Sequence, residues 1–545
     1  MSAVLPAELP TEVATSRVAL AGRDIRSVIA PWLAAALPGL LLLGIVFLQL
    51  SRGWAPISDD AVIATRAWDV LSKAVPLVGQ ATLAHGPKGR AVYDLGPLYY
   101  FLLTLPEHAS PTTGPLLGAA GIWLAAAGTF VVAARSAYGA TGMFVASATL
   151  FLLAWEVPTV VTDPLWNPHA AVMWFLSATA SLLAVIGGRH RWYPFATFAA
   201  SLAIQANIVL LAPMVVLWLA ATAAATAATA TMTGTADTRL AVRVRRVGPG
   251  VLVGIVCWIP TVVQQVAGRS GNLSSFTWYL SHHASVGLVF GLKSIASVVD
   301  PRIMAAAVRT GSVVFTSTFV AQESPVVGIL VMCVLGLLAT WCLTHNRAEG
   351  RALGVALLVA ISFVFTFADV SPDALGSVDY LSVVLIAMAS VFWILLILAA
   401  LSAVPDRFSE LAPRSFGPLS YVLVVAAAAM LLSRTVGVAD MATSASSQSI
   451  VKDATAYVEQ HVPRGPVVAA IAVDGPRPEG IADYADSAGV AWNLRVAGWR
   501  PEIYGALWSV FGTTYAASRG AYVVVAHVSD ANQRIQSITV RRPSS

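Results

Sequence analysis

The chain has 545 residues, of which 57% are hydrophobic and only 11% charged, with a mean hydropathy of +0.74. Soluble domains carry about 25% charged residues, so an ordinary soluble fold is excluded and a polytopic α-helical membrane protein is expected. The net charge of +5 does not mark a nucleic-acid surface, because the arginines fall in short loops between apolar stretches, the bias that orients membrane helices.

A first apolar segment at 28–50 is long enough to cross a bilayer and reads as a retained span rather than a cleaved leader. Ser58-Asp59-Asp60-Ala61 follows it, so two adjacent carboxylates are expected at the membrane surface. They open an amphipathic stretch over 60–75, which Asp60 can cap as a helix and on which Arg66 and Asp69 stand one turn apart. The apolar stretch 95–105 is too short to span, and an interfacial helix anchored by Tyr99, Tyr100 and Phe101 is expected there. Further spans are expected at 113–134, 141–156, 168–187, 192–206, 207–231, 249–267, 325–343, 353–370, 378–403 and 416–433, about eleven in all. That count puts the loops carrying Arg23 and Arg26, Arg135, Arg189 and Arg191, Arg243 to Arg246, Arg351 and Arg407 on one side, with a cytoplasmic N-terminus.

The opposite side then holds two long loops, 51–112 and 268–324. The second contains Trp278, Tyr279, His282, His283, Lys293 and Arg302, with another interfacial helix expected in its middle. Beyond 434 the composition turns polar. A helix-like 451–461, strand-like 467–473, polar turn 474–480, helix-like 503–511 and strand-like 522–528 predict a small extracytoplasmic α/β domain. The expected organisation is a cytoplasmic tail at 1–27, a transmembrane domain at 28–433 and the outer α/β domain at 434–545. Cys257, Cys333 and Cys342 lie in or beside apolar segments without metal spacing.

Several residues have the chemistry for a site. Asp59 or Asp60 can act as a general base on a hydroxyl at the membrane face, or serve as a helix cap and a solvated charge. Two neighbouring carboxylates can also raise one another's pKa or share a cation. No metal or other cofactor is called for; a divalent cation at the pair is an alternative. His85, Lys88 and Arg90 suit a phosphate, and Lys88 and Arg90 equally suit anionic lipid. In Thr162-Asp163-Pro164-Leu165-Trp166-Asn167-Pro168-His169 the prolines stiffen a turn from which Asn167 and His169 can hydrogen-bond a sugar and Trp166 can stack on it. The alternative is a helix start capped by Asp163 or Asn167, with Trp166 in the aromatic belt. Gln205 and Asn207 are either binding groups or hydrogen-bonding glue between spans. Asp94 and Tyr99 complete the binding candidates. His282 and His283 diverge on a helix, which disfavours a shared metal. Asp369, Asp373 and Asp379 read as solvated caps. No Walker loop, dinucleotide fingerprint or zinc signature is present.

The outer Asp59-Asp60, Pro76-Leu77-Val78-Gly79, Gly96-Pro97-Leu98-Tyr99-Tyr100, Leu165-Trp166-Asn167-Pro168 and Gln205-Ala206-Asn207, in that order, resemble the GT-C superfamily. These are membrane glycosyltransferases related to the protein mannosyltransferases and the aminoarabinose transferase of lipid A, and the likeness is to members of actinobacterial type. It covers about the first 210 residues in motif detail and the rest in architecture. It implies a GT-C-like fold, a sugar donor on a polyprenyl phosphate and an inverting transfer. It also implies an acidic base at the end of the first span, a role that falls here on Asp59 or Asp60. Asp59 is preferred, because Asp60 is the better cap. The resemblance gives Lys88 and Arg90 the donor phosphate, with His85 standing in for the family's histidine only if the loop folds back. The family's usual histidine position is taken here by Asp94 or Leu95.

The donor sugar implied is arabinofuranose first and mannose second. The acceptor is a cell-envelope glycan, lipid or protein, at the outer face of the plasma membrane, with no nucleic-acid partner. Trp492, Trp499, Tyr504 and Trp508 can stack on acceptor sugars, with core packing the simpler expectation. Two rivals stand beside this: a transporter or lipid-linked sugar flippase, which would carry its charges near the midplane, and a non-catalytic glycan-binding scaffold.

Overall fold

A computed structural model describes residues 25–230, 236–267, 271–300, 317–345, 349–372, 378–403, 445–474, 481–503, 521–529 and 534–541, with Phe511, Tyr515 and Ser518. The expected span at 416–433, Arg302, Asp373, the turn at 475–480, most of the expected helix at 503–511, Tyr504 and Trp508 lie outside the described residues.

Helix α1 (Ile25–Ser51) carries no charged side chain after Arg26. It stops at a left-handed glycine: Gly53, at φ 76°, donates its N–H to Leu50 O, and Trp54 N–H reaches Gln49 O, both at 3.0 Å. Such a pair of bonds satisfies the last carbonyls and turns the chain sharply. Helix α2 (Ser58–Trp68) starts after six intervening residues, with Asp59 and Asp60 in its first turn, where the helix dipole favours acidic side chains. Strands β1 (Ala81–His85) and β2 (Ala91–Tyr93) form an antiparallel hairpin, and α3 (Leu98–Ala109) follows.

The run α4 (Gly114–Glu156) is broken at Tyr138 and Gly139, where Gly139 takes φ 64°. This break lies between the spans expected at 113–134 and 141–156. A single turn, α5 (Thr159–Thr162), leads to α6 (Asn167–Ile186), which is buried along nearly its whole length. Around α6 pack α4, α7 (Tyr193–Ala206), α8 (Leu211–Ala230) and α15 (Val378–Ala403). The remaining helices are α9 (Ala236–Ala267), α10 (Asn272–His282), α11 (Leu288–Val299), α12 (Ser317–Gln322), α13 (Pro325–Thr344) and α14 (Glu349–Ala368). Among the described residues, six helices are long and apolar enough to cross a membrane: Gly114–Trp155, Asn167–Ile186, Ile208–Ala227, Leu240–Ala267, Pro325–Thr344 and Gly350–Ala368. Ala36–Ser51, Leu288–Val299 and Met388–Ala400 are shorter apolar helices.

Toward the C-terminus come α16 (Ala445–His461), β3 (Pro466–Asp474), α17 (Ile481–Val496), β4 (Arg500–Glu502), β5 (Tyr522–Ser529) and β6 (Arg534–Arg541). The strands form one sheet in the order β4-β3-β5-β6, with β3 parallel to β4 and β5 and only β6 antiparallel. Val451, Val458, Val467, Val490, Leu494 and Val524 pack into its core.

Four expectations need correction. Asp60 does not cap α2: the capping position is Ile57, with no side-chain bond, and Asp60 sits inside the first turn. Asp69 pairs with Arg495 rather than Arg66, because Arg66 donates instead to Phe511 O at 3.0 Å. Tyr99 and Tyr100 are not interface anchors: they turn inward and are buried, whereas Leu105 faces out. In the second long loop, α11 packs against α13 and α14, its Gly291 backbone pressed onto Val364 O and its Leu292 O against Gly328. A residue larger than glycine would not fit at either contact.

Candidate active site

Asp59, Asp60 and Asp163 meet at one end of the helical bundle. The turn after α1 sets the first two, and the stiff segment before α6 sets the third. Gln49, near the end of α1, donates to Thr162 O at 2.7 Å and ties these two segments together. Asp59 is half-buried and accepts on both oxygens: Trp166 Nε1 lies 3.0 Å from Oδ2 and the Tyr484 hydroxyl 2.7 Å from Oδ1. Asp60 is turned inward and hydrogen-bonded to Asp163. A bond between two carboxyl groups needs one proton between them. Burial first, and then the neighbouring charges of Asp163 and Asp59, push Asp60 well above the ordinary carboxylate range. Burial also raises Asp163, to about 6, against the bonds from Asp60 and the Trp166 backbone that lower it. The two carboxyl groups therefore share one proton. The second Asp60 oxygen is buried without a partner.

The walls of this acidic pocket are aromatic. Trp166 stands edge-on to His169, with ring centres 4.8 Å apart, and His169 Nδ1 is 2.6 Å from Asp163 O. The other ring nitrogen of His169 is buried without a partner. Tyr99 donates to Leu165 O at 2.9 Å, which fixes the segment carrying Trp166. The Arg66 guanidinium lies 5.9 Å from the Tyr100 ring centre, within the range of a cation–π contact.

A second carboxylate, Asp94, is also buried, but its surroundings differ. Ile208 N–H donates to Oδ1 at 2.9 Å and Asn167 Nδ2 to Oδ2 at 3.3 Å. Burial raises Asp94 well above the ordinary carboxylate range, and these two donors offset only part of that rise. Asn167 also donates to Ala206 O at 2.9 Å. Gln205 accepts from Leu98 N–H at 3.2 Å and donates to Cys257 O at 2.9 Å. Asn207 accepts from Val209 N–H at 3.0 Å. Gly79 and Gly96 belong to the same network: a Cβ on Gly79 would meet Asp94 Cβ at 2.6 Å, and one on Gly96 would meet Gln205 Oε1 at 2.2 Å. The short motifs at 76–79, 96–100, 165–168 and 205–207 thus converge in space, and hydrogen bonds within the protein already occupy most of their polar atoms.

His85, Lys88 and Arg90 are exposed at the end of the β1–β2 hairpin, where Lys88 takes φ 59° and Gly89 φ 72°. The hairpin rests on α10 through Asn272, which exchanges two bonds with the Tyr93 backbone at 3.0 and 2.8 Å. On α10, exposed His282 stacks on Trp278 at 4.4 Å and His283 on Tyr279 at 4.1 Å. His283 also stands 3.5 Å from an Asp369 carboxylate oxygen. The two rings thus rest on different partners. Among the described residues, no group of three His, Cys, Asp or Glu side chains is gathered as metal ligands.

Three residues near this site, Asp163, Tyr484 and Glu107, take their place in it only through the fold. Asp163 was weighed only as a cap, and its carboxyl pair with Asp60 needs the fold to bring 58–60 and 163 together. Tyr484 comes from α17, more than 400 residues after Asp59. Glu107, on α3, is fully buried with neither oxygen partnered, and burial raises it to about 10. Glu107 had no motif, and its apolar surroundings are visible only in three dimensions. Trp492 and Trp499 are buried in core clusters.

No family model and no curated protein sequence matches the chain. Among solved structures it is similar to oligosaccharyltransferases of the archaeon Archaeoglobus fulgidus. One is a crystal structure complexed with zinc and sulfate, at 12% identity and TM-score 0.40, covering 90% of this chain and 68% of that one. Another is AglB with an inhibitory peptide and a dolichol-phosphate, at 13% identity and TM-score 0.40, covering 91% and 69%. The apo crystal structure gives 12% identity and the same score and coverage as the AglB complex.

Proposed function

We propose that this chain is a membrane glycosyltransferase that moves a sugar from a polyprenyl-phosphate donor to a hydroxyl of a cell-envelope glycan, lipid or protein. The observation that carries the reading is the convergence of Asp59 with the proton-sharing Asp60 and Asp163 at the end of apolar helices, under Trp166 and Tyr484. The motif resemblance of residues 59–207 supports the choice of donor.

In the proposed reaction, Asp59 takes the proton of the acceptor hydroxyl. The freed oxygen attacks the anomeric carbon from the face opposite the phosphate. The bond from that carbon to the phosphate oxygen breaks, the lipid phosphate leaves with the electron pair, and the configuration inverts. Phosphate is a competent leaving group, so the protein contributes mainly by positioning the reactants and stabilising charge. The Asp60–Asp163 pair, sharing one proton, keeps one negative charge near the carbon on which positive charge develops. His85, Lys88 and Arg90 on the hairpin hold the leaving phosphate. Trp166, with Asn167 and His169 behind it, forms the sugar wall. Arabinofuranose is the first choice of sugar and mannose the second, with the site and the C-terminal sheet on the outer face of the plasma membrane.

The test uses purified full-length protein in lipid nanodiscs, radiolabelled polyprenyl-phosphate arabinofuranose or mannose, and an envelope-glycan acceptor extract. Transfer by wild type and none by the Asp59→Ala/Asp60→Ala double variant is expected. Transfer that survives loss of both aspartates would remove the base, and no transfer from either donor would overturn the reading.

A further inference from the structure

Helix α17 lies along α2 and is fastened to it at both ends. At the N-terminal end of both helices, the Tyr484 hydroxyl donates to Asp59 Oδ1 at 2.7 Å. At the C-terminal end, Arg495 Nη2 lies 2.9 Å from Asp69 Oδ1, and the Tyr515 hydroxyl donates to Asp69 Oδ2 at 2.7 Å. The anchors are ten residues apart on α2 and eleven on α17. At 1.5 Å per residue the two helices run side by side in the same direction and nearly in register. Small residues let them approach closely: Ala61 and Ala64 face Ala488 and Ala491, with Trp492, Phe511 and Tyr515 sealing the contact. A Cβ on Gly489 would come within 3.1 Å of Pro56 O.

The packing and the Asp69 anchor hold α17 in place without the Tyr484 hydroxyl. That hydroxyl meets the one aspartate of the acidic pocket whose two oxygens both accept from aromatic donors. With Trp166 on Oδ2 and Tyr484 on Oδ1, the plane of the Asp59 carboxyl is set from both sides. We infer that Tyr484 is a positioning residue for Asp59, delivered by α17, so that the base is aligned only while the C-terminal part of the chain is seated on α2. The inference rests on the transfer reading above. It gives the C-terminal residues a part in the transfer step itself, distinct from acceptor binding.

The experiment has a kinetic and a spectroscopic arm, both on the full-length protein in nanodiscs. Tyr484→Phe keeps the ring and its packing and removes one donor. Its kcat should fall about 10-fold, the worth of one hydrogen bond to a charged group, with donor KM and melting temperature unchanged. 3-Fluorotyrosine at 484, which retains the hydroxyl, should restore kcat. In the second arm, the ¹⁹F resonance of that fluorotyrosine should move on Asp59→Asn and stay in place on Lys73→Ala. An unmoved resonance overturns the contact, whatever the activity. A moved resonance with wild-type kcat in Tyr484→Phe overturns the positioning role. A lower melting temperature with a raised KM marks Tyr484 as a packing residue and also overturns it. If wild type transfers nothing from either donor, the functional reading fails and the transfer role fails with it, while the ¹⁹F arm still decides the contact.

Discussion

Two buried carboxylate sites sit close together at one end of this bundle, and the protein treats them differently. Asp94 has two donors, the Ile208 N–H and the Asn167 amide, and its Cβ lies against Gly79. Asp60 has been given another carboxyl group, Asp163, and a third, Asp59, next to it. Burying an acidic group is costly unless donors compensate it. At Asp94 two donors offset part of the cost of burial, and the bonds hold segments together. At Asp60 such compensation is withheld and the proton is shared instead, an arrangement that favours chemistry over stability.

The sharpest way to test this contrast is to remove one carboxylate from each side and ask what fails. In the acidic pocket, Asp59→Asn should cut kcat by about 10²- to 10⁴-fold, the usual scale for losing a general base, with little change in melting temperature. Single-turnover transfer and thermal unfolding of the same preparation measure both. In the donor-rich site, Asp94→Ala should cost about 3 kcal/mol of stability, since the Ile208 N–H and the Asn167 amide each lose their buried acceptor. Asp94→Ala as stable as wild type would erase the distinction between the sites.

A subtler prediction follows from pH. Asp163 keeps its proton up to about pH 6 in the folded protein, whereas its ordinary value is 3.8. A raised carboxylate contributes its stability in full below the ordinary value and loses it as pH climbs through the folded one. Wild type should therefore lose stability as pH climbs from about 4 through 6, on the order of a few kcal/mol from the Asp60–Asp163 pair. D163N cannot ionise at that position and should show a shallower decline, melting above wild type at pH 7.5. Its transfer activity should also lack the inflection near pH 6 expected of wild type. The denaturation midpoint and the transfer rate, both followed from pH 4.5 to 8, read these out. Parallel pH curves for wild type and D163N would separate Asp163 from the pair.

How much of this was legible beforehand divides along physical lines. Long apolar runs announce themselves: the helix begun at 25 in place of 28 and the one from 325 to 344 were readable because twenty apolar residues in a row have few alternatives. Strand β3 was expected at 467–473 and runs from Pro466 to Asp474, since a short β-branched run between polar turns reads locally. Helix α17 was not expected. Its small and polar residues, Ala485 to Gly489 among them, give little amphipathic signal, and α2 supplies the reason for it to be helical. In the site, Asp59 and Asp60 were legible because they follow the first long apolar run. Their division of labour was not, because Asp60 as a cap and Asp60 as a buried partner of Asp163 look the same in sequence. The inward turn of Tyr99 and Tyr100 was missed because an amphipathic helix shows its apolar stripe without showing whether lipid or protein covers it.

The smallest expected effect concerns the exposed end of the comparison. Lys88 and Arg90 stand on the hairpin whose second strand leads directly into Asp94, so the donor-rich site fixes the base of the arm that carries them. Both side chains are exposed, and an exposed charge contributes at most about 1 kcal/mol and is screened by salt. Lys88→Ala and Arg90→Ala should each raise donor KM about 3- to 5-fold at low ionic strength and leave kcat unchanged. In 0.5 M salt the difference from wild type should shrink below about 2-fold, where the Debye length has fallen to a few ångströms. A plain alcohol-headgroup analogue of the donor, lacking phosphate, should bind both variants and wild type alike. If instead kcat falls with KM unchanged, the hairpin cations act on the transition state, and the acidic pocket would no longer be the only part of this end of the bundle committed to chemistry.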